Sequence, residues 1–521
     1  MTAMSEPSPP ESSESSESTI THSDGRVELR EPERLERSPL NNADLAPVAV
    51  ARRTRTTWDY AALWISMAHC IPTYTMASGL IAAGMSWWQA LGTILLGNLI
   101  VLVPILLNSH PGTKYGIPFP VFARAAYGTR GSNVPALVRA LVACGWFGIN
   151  AWIGGAALQT LFAVIIPGWP GWSGWSSLLG ELHGYPVTQW FSFAVFWALN
   201  IVIIYRGMEL VRRVERWAAP FVLVMTAILV GWAIYHAGGL GPIMASSGTL
   251  IGSGAFLAVF IPSLTATVGF WSTLSLNMPD FTRFGRSQRE QAIGQIAALP
   301  STMTVFAGMG IIITSATVII YGHAISDPIA LGGLFGNRVI VGIAMFTVVI
   351  ATLAVNIAAN VVSPANDFAN AFPSAIDFKL GGLITGVIGI AMMPWELLRN
   401  AERYINGWLV GTSGSLGAVA GVLIADYWIL RRRTLDLRSL YVDDGIYRYS
   451  RGYNVKAIVA TLIGAVIPLA GMFWEPLSPI YRGSWFAGFV IAGGLYWVMM
   501  RGAVTAPPAA TVLTARIAPS R

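Results

Sequence analysis

Charge is what this chain has least of. Only 11% of its 521 residues are Asp, Glu, Lys or Arg, against about 25% in an ordinary soluble domain. Lysine is confined to Lys114, Lys379 and Lys456, none preceded by glycine, so no GxxxxGK phosphate loop exists. Cysteine is limited to Cys70 and Cys144, too few for a disulfide framework or a cysteine metal site. The HExxH zinc motif and the GxSxG nucleophile elbow are missing as well. These absences argue against an enzyme and leave no motif for a cofactor or a metal. What the chain has is apolar surface: 54% hydrophobic residues and a mean hydropathy of +0.57. That composition predicts an all-α polytopic membrane protein. The net charge of +7 then speaks to topology, and nothing gathers it onto a face for nucleic acid.

Hydrophobic runs predict about twelve transmembrane helices, near 60–83, 89–107, 136–163, 187–205, 217–235, 254–279, 292–321, 338–362, 380–395, 404–428, 455–473 and 483–500. Residues 1–57 stand outside them. Ser5–Thr19 is rich in Ser, Glu and Pro, too polar to order itself, and lacks the pattern of a signal peptide. The segment reads as a disordered tail, either regulatory or a plain leader. Arginines flank alternate connections: Arg52, Arg53 and Arg55 before span one, then Arg206, Arg212, Arg213 and Arg216 after span four, and Arg431 to Arg433 after span ten. The connections after spans three and five carry no Lys or Arg. Both termini, including the tail 501–521, are therefore expected in the cytoplasm of a plasma (inner) membrane protein.

Two spans read as broken. In span one, His69-Cys70-Ile71-Pro72 interrupts the run. Pro72 cannot donate a backbone hydrogen bond and clashes one turn back, so a break is expected near Ala68–Thr73. His69 lies at the same depth, where an ionisable group defaults to a functional reading. A packed proline kink with a hydrogen-bonded histidine is the plainer alternative. In span six, Pro262 and Gly269 place a second break near Ala266–Phe270. Interrupted segments at matching positions of two halves point to a transporter site. With the breaks five spans apart, residues 58–235 and 254–430 form a five-plus-five inverted repeat, and 452–500 adds two peripheral helices.

Spans three and eight are the repeat-related neighbours of the broken pair. Trp146 and Asn150 share one face of span three, and Asn356 and Asn360 one face of span eight, because residues four apart lie side by side on a helix. A buried Asn offers donors and an acceptor, and a Trp offers a flat apolar surface. The set suits a small planar ligand with amide edges. Interhelical glue is the competing role for the Asn residues.

The sequence resembles nucleobase:cation symporter family 1 from about Asn42 to Arg501. The resemblance rests on Asn42-Ala43-Asp44-Leu45-Ala46-Pro47, His69-Cys70-Ile71-Pro72-Thr73-Tyr74 and Pro111-Gly112-Thr113-Lys114-Tyr115-Gly116-Ile117-Pro118-Phe119-Pro120-Val121. Gly145-Trp146-Phe147-Gly148, Asn277-Met278-Pro279-Asp280-Phe281-Thr282-Arg283-Phe284 and Asn356-Ile357-Ala358-Ala359-Asn360-Val361-Val362-Ser363-Pro364 complete it. It implies a leucine-transporter-like fold with the ligand stacked between Trp146 and Trp271. Asn150 and Asn360 then hydrogen-bond the ring, with Cys70 and Phe270 beside it. Asp280 and Arg283 fall at the family's inner gate, where a plain interfacial ion pair is an equal reading. The allantoin branch is nearest in flavour, so allantoin is expected first, then a hydantoin or uracil.

The resemblance also marks the cation site. Backbone carbonyls would come from Ser66, His69 and Ala351, and two hydroxyls from positions that here are Ala354 and Val355. Those two side chains have no oxygen, so weak sodium binding and proton coupling through His69 are expected. A sodium-coupled or uncoupled permease for cytosine or purine bases, and a non-transporting solute sensor, are the alternatives. A small-molecule substrate and the bilayer are the expected partners, with the chain a monomer.

Overall fold

The computed structural model describes residues 19–35, 37–169, 182–206, 223–245, 248–250, 252–325, 327–399 and 403–503. Among them seven helices are long and apolar enough to cross a membrane: Trp87–Tyr115, Asn133–Ile165, Val187–Arg206, Ser253–Thr282, Gln288–Tyr321, Arg338–Ala371 and Arg403–Leu430. They are spans two, three, four, six, seven, eight and ten. Span one is two shorter helices, and Leu223–His236, Phe378–Ala391, Val455–Ala470 and Ser484–Met500 are the shorter spans five, nine, eleven and twelve. Residues 217–222, the expected start of span five, lie outside the described residues.

Span one breaks where the proline required. Thr57–Ala68 ends at His69 (φ −86°, ψ 69°), Cys70 is extended (φ −137°, ψ 156°), and Ile71–Ala82 follows with Pro72 in its first turn. Proline suits that place, because the first helical N–H groups have no partner in the helix. Span six breaks one residue later than the sequence suggested. Ser253–Phe270 meets Ser272–Thr282 at Trp271, and Pro262 is absorbed inside the first piece. Gly269 has a packing role: a Cβ there would lie 2.7 Å from the Leu409 carbonyl of span ten.

Several boundaries differ from the sequence reading. Span two runs on to Tyr115 through Pro104 and Pro111, so the segment after residue 107 is helix rather than connection. Span eight is kinked at Val361 and continues from Val362 to Ala371, because Pro364 in the first turn of the second piece cannot bond the Asn360 carbonyl and clashes with it. Span nine stops at Ala391; Met393 takes a left-handed conformation (φ 50°) and starts the short helix Pro394–Leu397.

The disordered-tail reading of 1–57 is corrected for the described part, residues 19–35 and 37–57. Thr19–Thr21 and Val27–Leu29 pair antiparallel, and Val27, Leu29, Leu35 and Leu45 are buried. Arg53, 2% exposed, donates to the carbonyls of Val27, Val48, Thr113 and Lys114. Burial pulls its guanidinium down to about 10, so it stays charged at neutral pH. Residues 38–45 cross the arginine-rich face. Arg124 donates to the Leu40 carbonyl, Arg283 to that of Asp44 and Tyr441 to that of Leu45. The composition that reads as disorder is concentrated in residues 5–19; the apolar anchors lie beyond it.

The core is built by span three packing along span eight, span seven against spans one and two, and span six's second helix against span two. Spans eleven and twelve gather on span ten, outside the two sets of five. A fully buried ion pair, Arg139 Nη1 to Asp367 Oδ2 at 3.1 Å, ties span three to the second helix of span eight.

Candidate functional site

The breaks of spans one and six open toward spans three and eight. Between them lies a small cavity of about 30 Å³, lined by Cys70 and Pro72 of the first break, Phe270 and Trp271 of the second, Trp146 and Asn150 of span three, and Val355, Ala359 and Asn360 of span eight, with Met67, Thr273 and Leu274. All six positions assigned to the substrate by resemblance thus surround one space. Its size is about that of a water or two, far below the ~300 Å³ of a small-molecule pocket. The conformation is closed on the site.

Three aromatic rings make its walls. Phe270 meets Trp146 edge-on, centroids 5.1 Å apart, and Trp271 at 4.9 Å. Trp64 holds Trp271 from behind at 5.2 Å. Tyr404 and Trp408 of span ten each stand 6.2 Å from Trp146. Gly145 is needed for that approach, since a Cβ there would fall 2.1 Å from the Trp408 ring. Among the described residues no ring contact joins Trp146 directly to Trp271; Phe270 stands between them.

The polar groups are few and partly unused. Asn150 donates to the Trp146 carbonyl (3.0 Å), leaving its buried Oδ1 without a partner, and Trp271 Nε1 also has none. One acceptor and one donor are therefore free on side chains that line the cavity. Asn360 donates to Asn356 Oδ1 (3.0 Å), and Asn356 donates to Asn200 Oδ1 (3.2 Å) and the Phe147 carbonyl (3.3 Å). Asn356 is thus one step behind the cavity. Cys70 Sγ lies 3.3 Å from Thr73 Oγ1.

The cation-site positions do not gather around this space. Val355 lines it, whereas His69 and Ala351 line a second, larger cavity on the other side of span one. Ala354 is buried and Ser66 half-buried. His69 is buried, bonds Thr226 of span five at 2.9 Å and meets Phe306 of span seven at 4.1 Å. Asp280 and Arg283 do not form the ion pair that one reading offered. Asp280 accepts from the Phe119 N–H (2.9 Å), and Arg283 reaches the Asp44 carbonyl (2.6 Å).

Sequence reasoning missed Tyr404, whose hydroxyl approaches the Pro72 carbonyl at 3.5 Å, together with Trp408 and Asn200. The four-residue spacing of Tyr404 and Trp408 was the available signal. Nothing in one sequence says which helix that face meets.

Comparison with known proteins completes the assignment. The family model for permeases of cytosine/purines, uracil, thiamine and allantoin matches residues 47–488. The allantoin permease of Bacillus subtilis (strain 168) is 41% identical over 474 residues, 91% of this chain and 95% of that protein. The purine-uracil permease NCS1 of Arabidopsis thaliana is 41% identical over 473 residues, covering 88% and 78%. Mhp1, a nucleobase-cation-symport-1 family transporter solved closed with bromovinylhydantoin bound, superposes with a TM-score of 0.73 at 25% identity, covering 89% of this chain and 96% of its own. The chain belongs to this family of permeases for cytosine/purines, uracil, thiamine and allantoin, and is a multi-pass membrane transporter and not an enzyme.

Proposed function

We propose that the protein imports a small neutral ring bearing ureide or imide groups, allantoin first, then a hydantoin or uracil. The observation that carries this is the pairing of aromatic walls with a free acceptor, Asn150 Oδ1, and a free donor, Trp271 Nε1. A planar ring with an N–H on one edge and a C=O on the other satisfies both. The relatives named for allantoin, purines and uracil support the same class. Phe270 must swing off Trp146 for the ring to enter. Asn360 supplies a further amide from span eight. The units 58–235 and 254–430 would rock about this centre, with Asp280, Arg283 and residues 38–45 on the inward face. Both termini are cytoplasmic, the membrane is the plasma membrane and the chain works as a monomer.

Coupling is to protons in this reading. Ala354 and Val355 offer no side-chain oxygen, and a hard cation prefers several. His69 is the proton carrier. One charge moved per cycle is worth about 2.3 kcal/mol at 100 mV, roughly fifty-fold accumulation of a neutral solute.

Uptake of labelled allantoin into proteoliposomes, with a panel of unlabelled hydantoins, uracil, cytosine and purines as competitors, tests the substrate. Competition by cytosine or purines alone would overturn the ureide reading, and saturable binding without uptake would make the chain a sensor. Replacing sodium by choline, with and without a protonophore, tests the ion. Uptake that collapses in choline and ignores the protonophore would establish sodium. His69→Gln that still concentrates substrate would move the proton elsewhere.

A further inference from the structure

The larger cavity, about 390 Å³, is separate from the substrate site, and of its lining only His69 and Ala351 enter the proposed function, as cation-site positions. It lies between spans one, five, seven and eight, with Phe335 of the connection before span eight and His69 of the first break among its lining. Its walls are almost wholly aliphatic and aromatic. Ile228, Ile340 and Ile343 on its border are 58%, 51% and 44% exposed, and in a membrane-spanning helix such side chains face lipid tails. Tyr74, Thr226 and Thr347, the hydroxyl-bearing side chains in its wall, are already bonded, to Thr314, to His69 and to the Ile343 carbonyl. Apolar cavities of this kind stay dry and take apolar guests, and the volume falls in the range of small-molecule sites.

One buried polar atom in its wall has no partner. His69 shares Nε2 with Thr226, and its buried Nδ1 has no partner. Whichever tautomer the ring adopts, Nδ1 is either a free acceptor or a free donor. A hydroxyl both gives and accepts a hydrogen bond, so it satisfies either case, whereas an ammonium or a carboxylate would carry an unpaired charge into an apolar chamber. We propose that this cavity is a regulatory site for a lipophilic alcohol entering from the bilayer, its hydroxyl on His69 and its chain along spans five and eight. The occupant lies against His69 and Ile71, the two sides of the first break, and against Ala351 of span eight. It props apart helices that must move, and so slows transport without competing for the substrate.

Primary alkanols are the probe, applied to the full chain in proteoliposomes. Non-competitive inhibition of uptake should strengthen with chain length and then stop at the length that fills the cavity. Alkanes of equal length should be roughly tenfold weaker, for want of the hydrogen bond. Ala344→Phe, which fills the chamber from span eight, should slow uptake as decanol does and lose further sensitivity to decanol; Val348→Phe replaces it if that variant fails to fold. In detergent, decanol should raise the melting temperature of the purified chain, and His69→Leu should reduce the rise to that given by decane. Potency that follows membrane partitioning with no cutoff, equals that of the alkanes and is unchanged in both filled variants would overturn the site. The melting measurement needs no transport, so a chain stabilised by decanol that does not carry allantoin would overturn the substrate reading and leave this one standing.

Discussion

Asn356 does not line the cavity proposed for the substrate, yet its bonds should set the affinity there. Its Oδ1 accepts the hydrogen bond that fixes Asn360 (3.0 Å), and its Nδ2 is pinned by Asn200 Oδ1 and the Phe147 carbonyl. Asn200 in turn donates to the Phe196 carbonyl at 2.8 Å. The chain of amides runs from span four through span eight to the cavity and leaves Asn360 one orientation. In Asn356→Ala, Asn360 loses its anchor but keeps its own capacity to bond the ligand. The loss is then about one ordinary hydrogen bond, ~0.5–1.5 kcal/mol, or roughly two- to thirteen-fold in Kd. Asn360→Ala removes the contact itself and leaves a ligand amide buried without a partner, ~1–3 kcal/mol, roughly five- to 150-fold. Because one residue acts through the other, the double variant should bind like Asn360→Ala alone, well short of the sum. Titration calorimetry of allantoin on the purified chain measures all three. Normal Kd in a folded Asn356→Ala, or additive losses in the pair, would refute the positioning role.

Phe270→Ala should weaken binding of unsubstituted rings severalfold while admitting bulkier 5-substituted hydantoins, because it clears the ring that stands 5.1 Å from Trp146; competition with a substituent series reads this out. Arg139→Met or Asp367→Leu alone should cost ~3–5 kcal/mol by stranding a buried charge, and the double variant should recover most of it, as followed by melting in detergent. The described N-terminal segment should loosen only in acid. Burial alone would raise the Glu28 carboxyl, but bonds from the Val50 N–H and His22, helped by His22 and Arg53 charge, outweigh it and hold it below its ordinary 4.5. A depressed carboxylate contributes stability above its unfolded value and loses it as pH falls through the folded one. Limited proteolysis within residues 19–56 should therefore accelerate only below about pH 4.5, and Glu28→Gln should remove that step.

The bilayer makes half of this fold legible and hides the other half. A run that must cross hydrocarbon has to be apolar over ~20 residues, so spans announce themselves, and a proline within one marks a place where backbone groups must find partners. The first break fell at His69 and Cys70 for that reason. The second was drawn too early because Pro262 looked like a breaker; inside a helix flanked by other helices its missing bond was absorbed, and the chain turned at Trp271 instead. The kink at Val361 carries the same kind of mark, since Pro364 removes the bond to the Asn360 carbonyl one turn back, but it lies past the end of the apolar run, where a proline reads as a terminator rather than a kink. Periodicity also reports which residues share a face of one helix and never which helix that face meets. Trp146 with Asn150, and Asn356 with Asn360, were readable as pairs. That Asn360 alone reaches the cavity while Asn356 turns to Asn200 follows from span four's position, which no spacing encodes. The same limit bears on His69. Its depth in span one is a sequence property, but its direction toward Thr226, Phe306 and an apolar chamber is a packing property. A carrier of protons needs a wet route, and the chamber it lines is dry by composition. In the proton-coupled reading, water must therefore reach His69 from the side of the substrate cavity once Phe270 and Trp146 part, which ties the proton step to the opening of the substrate site.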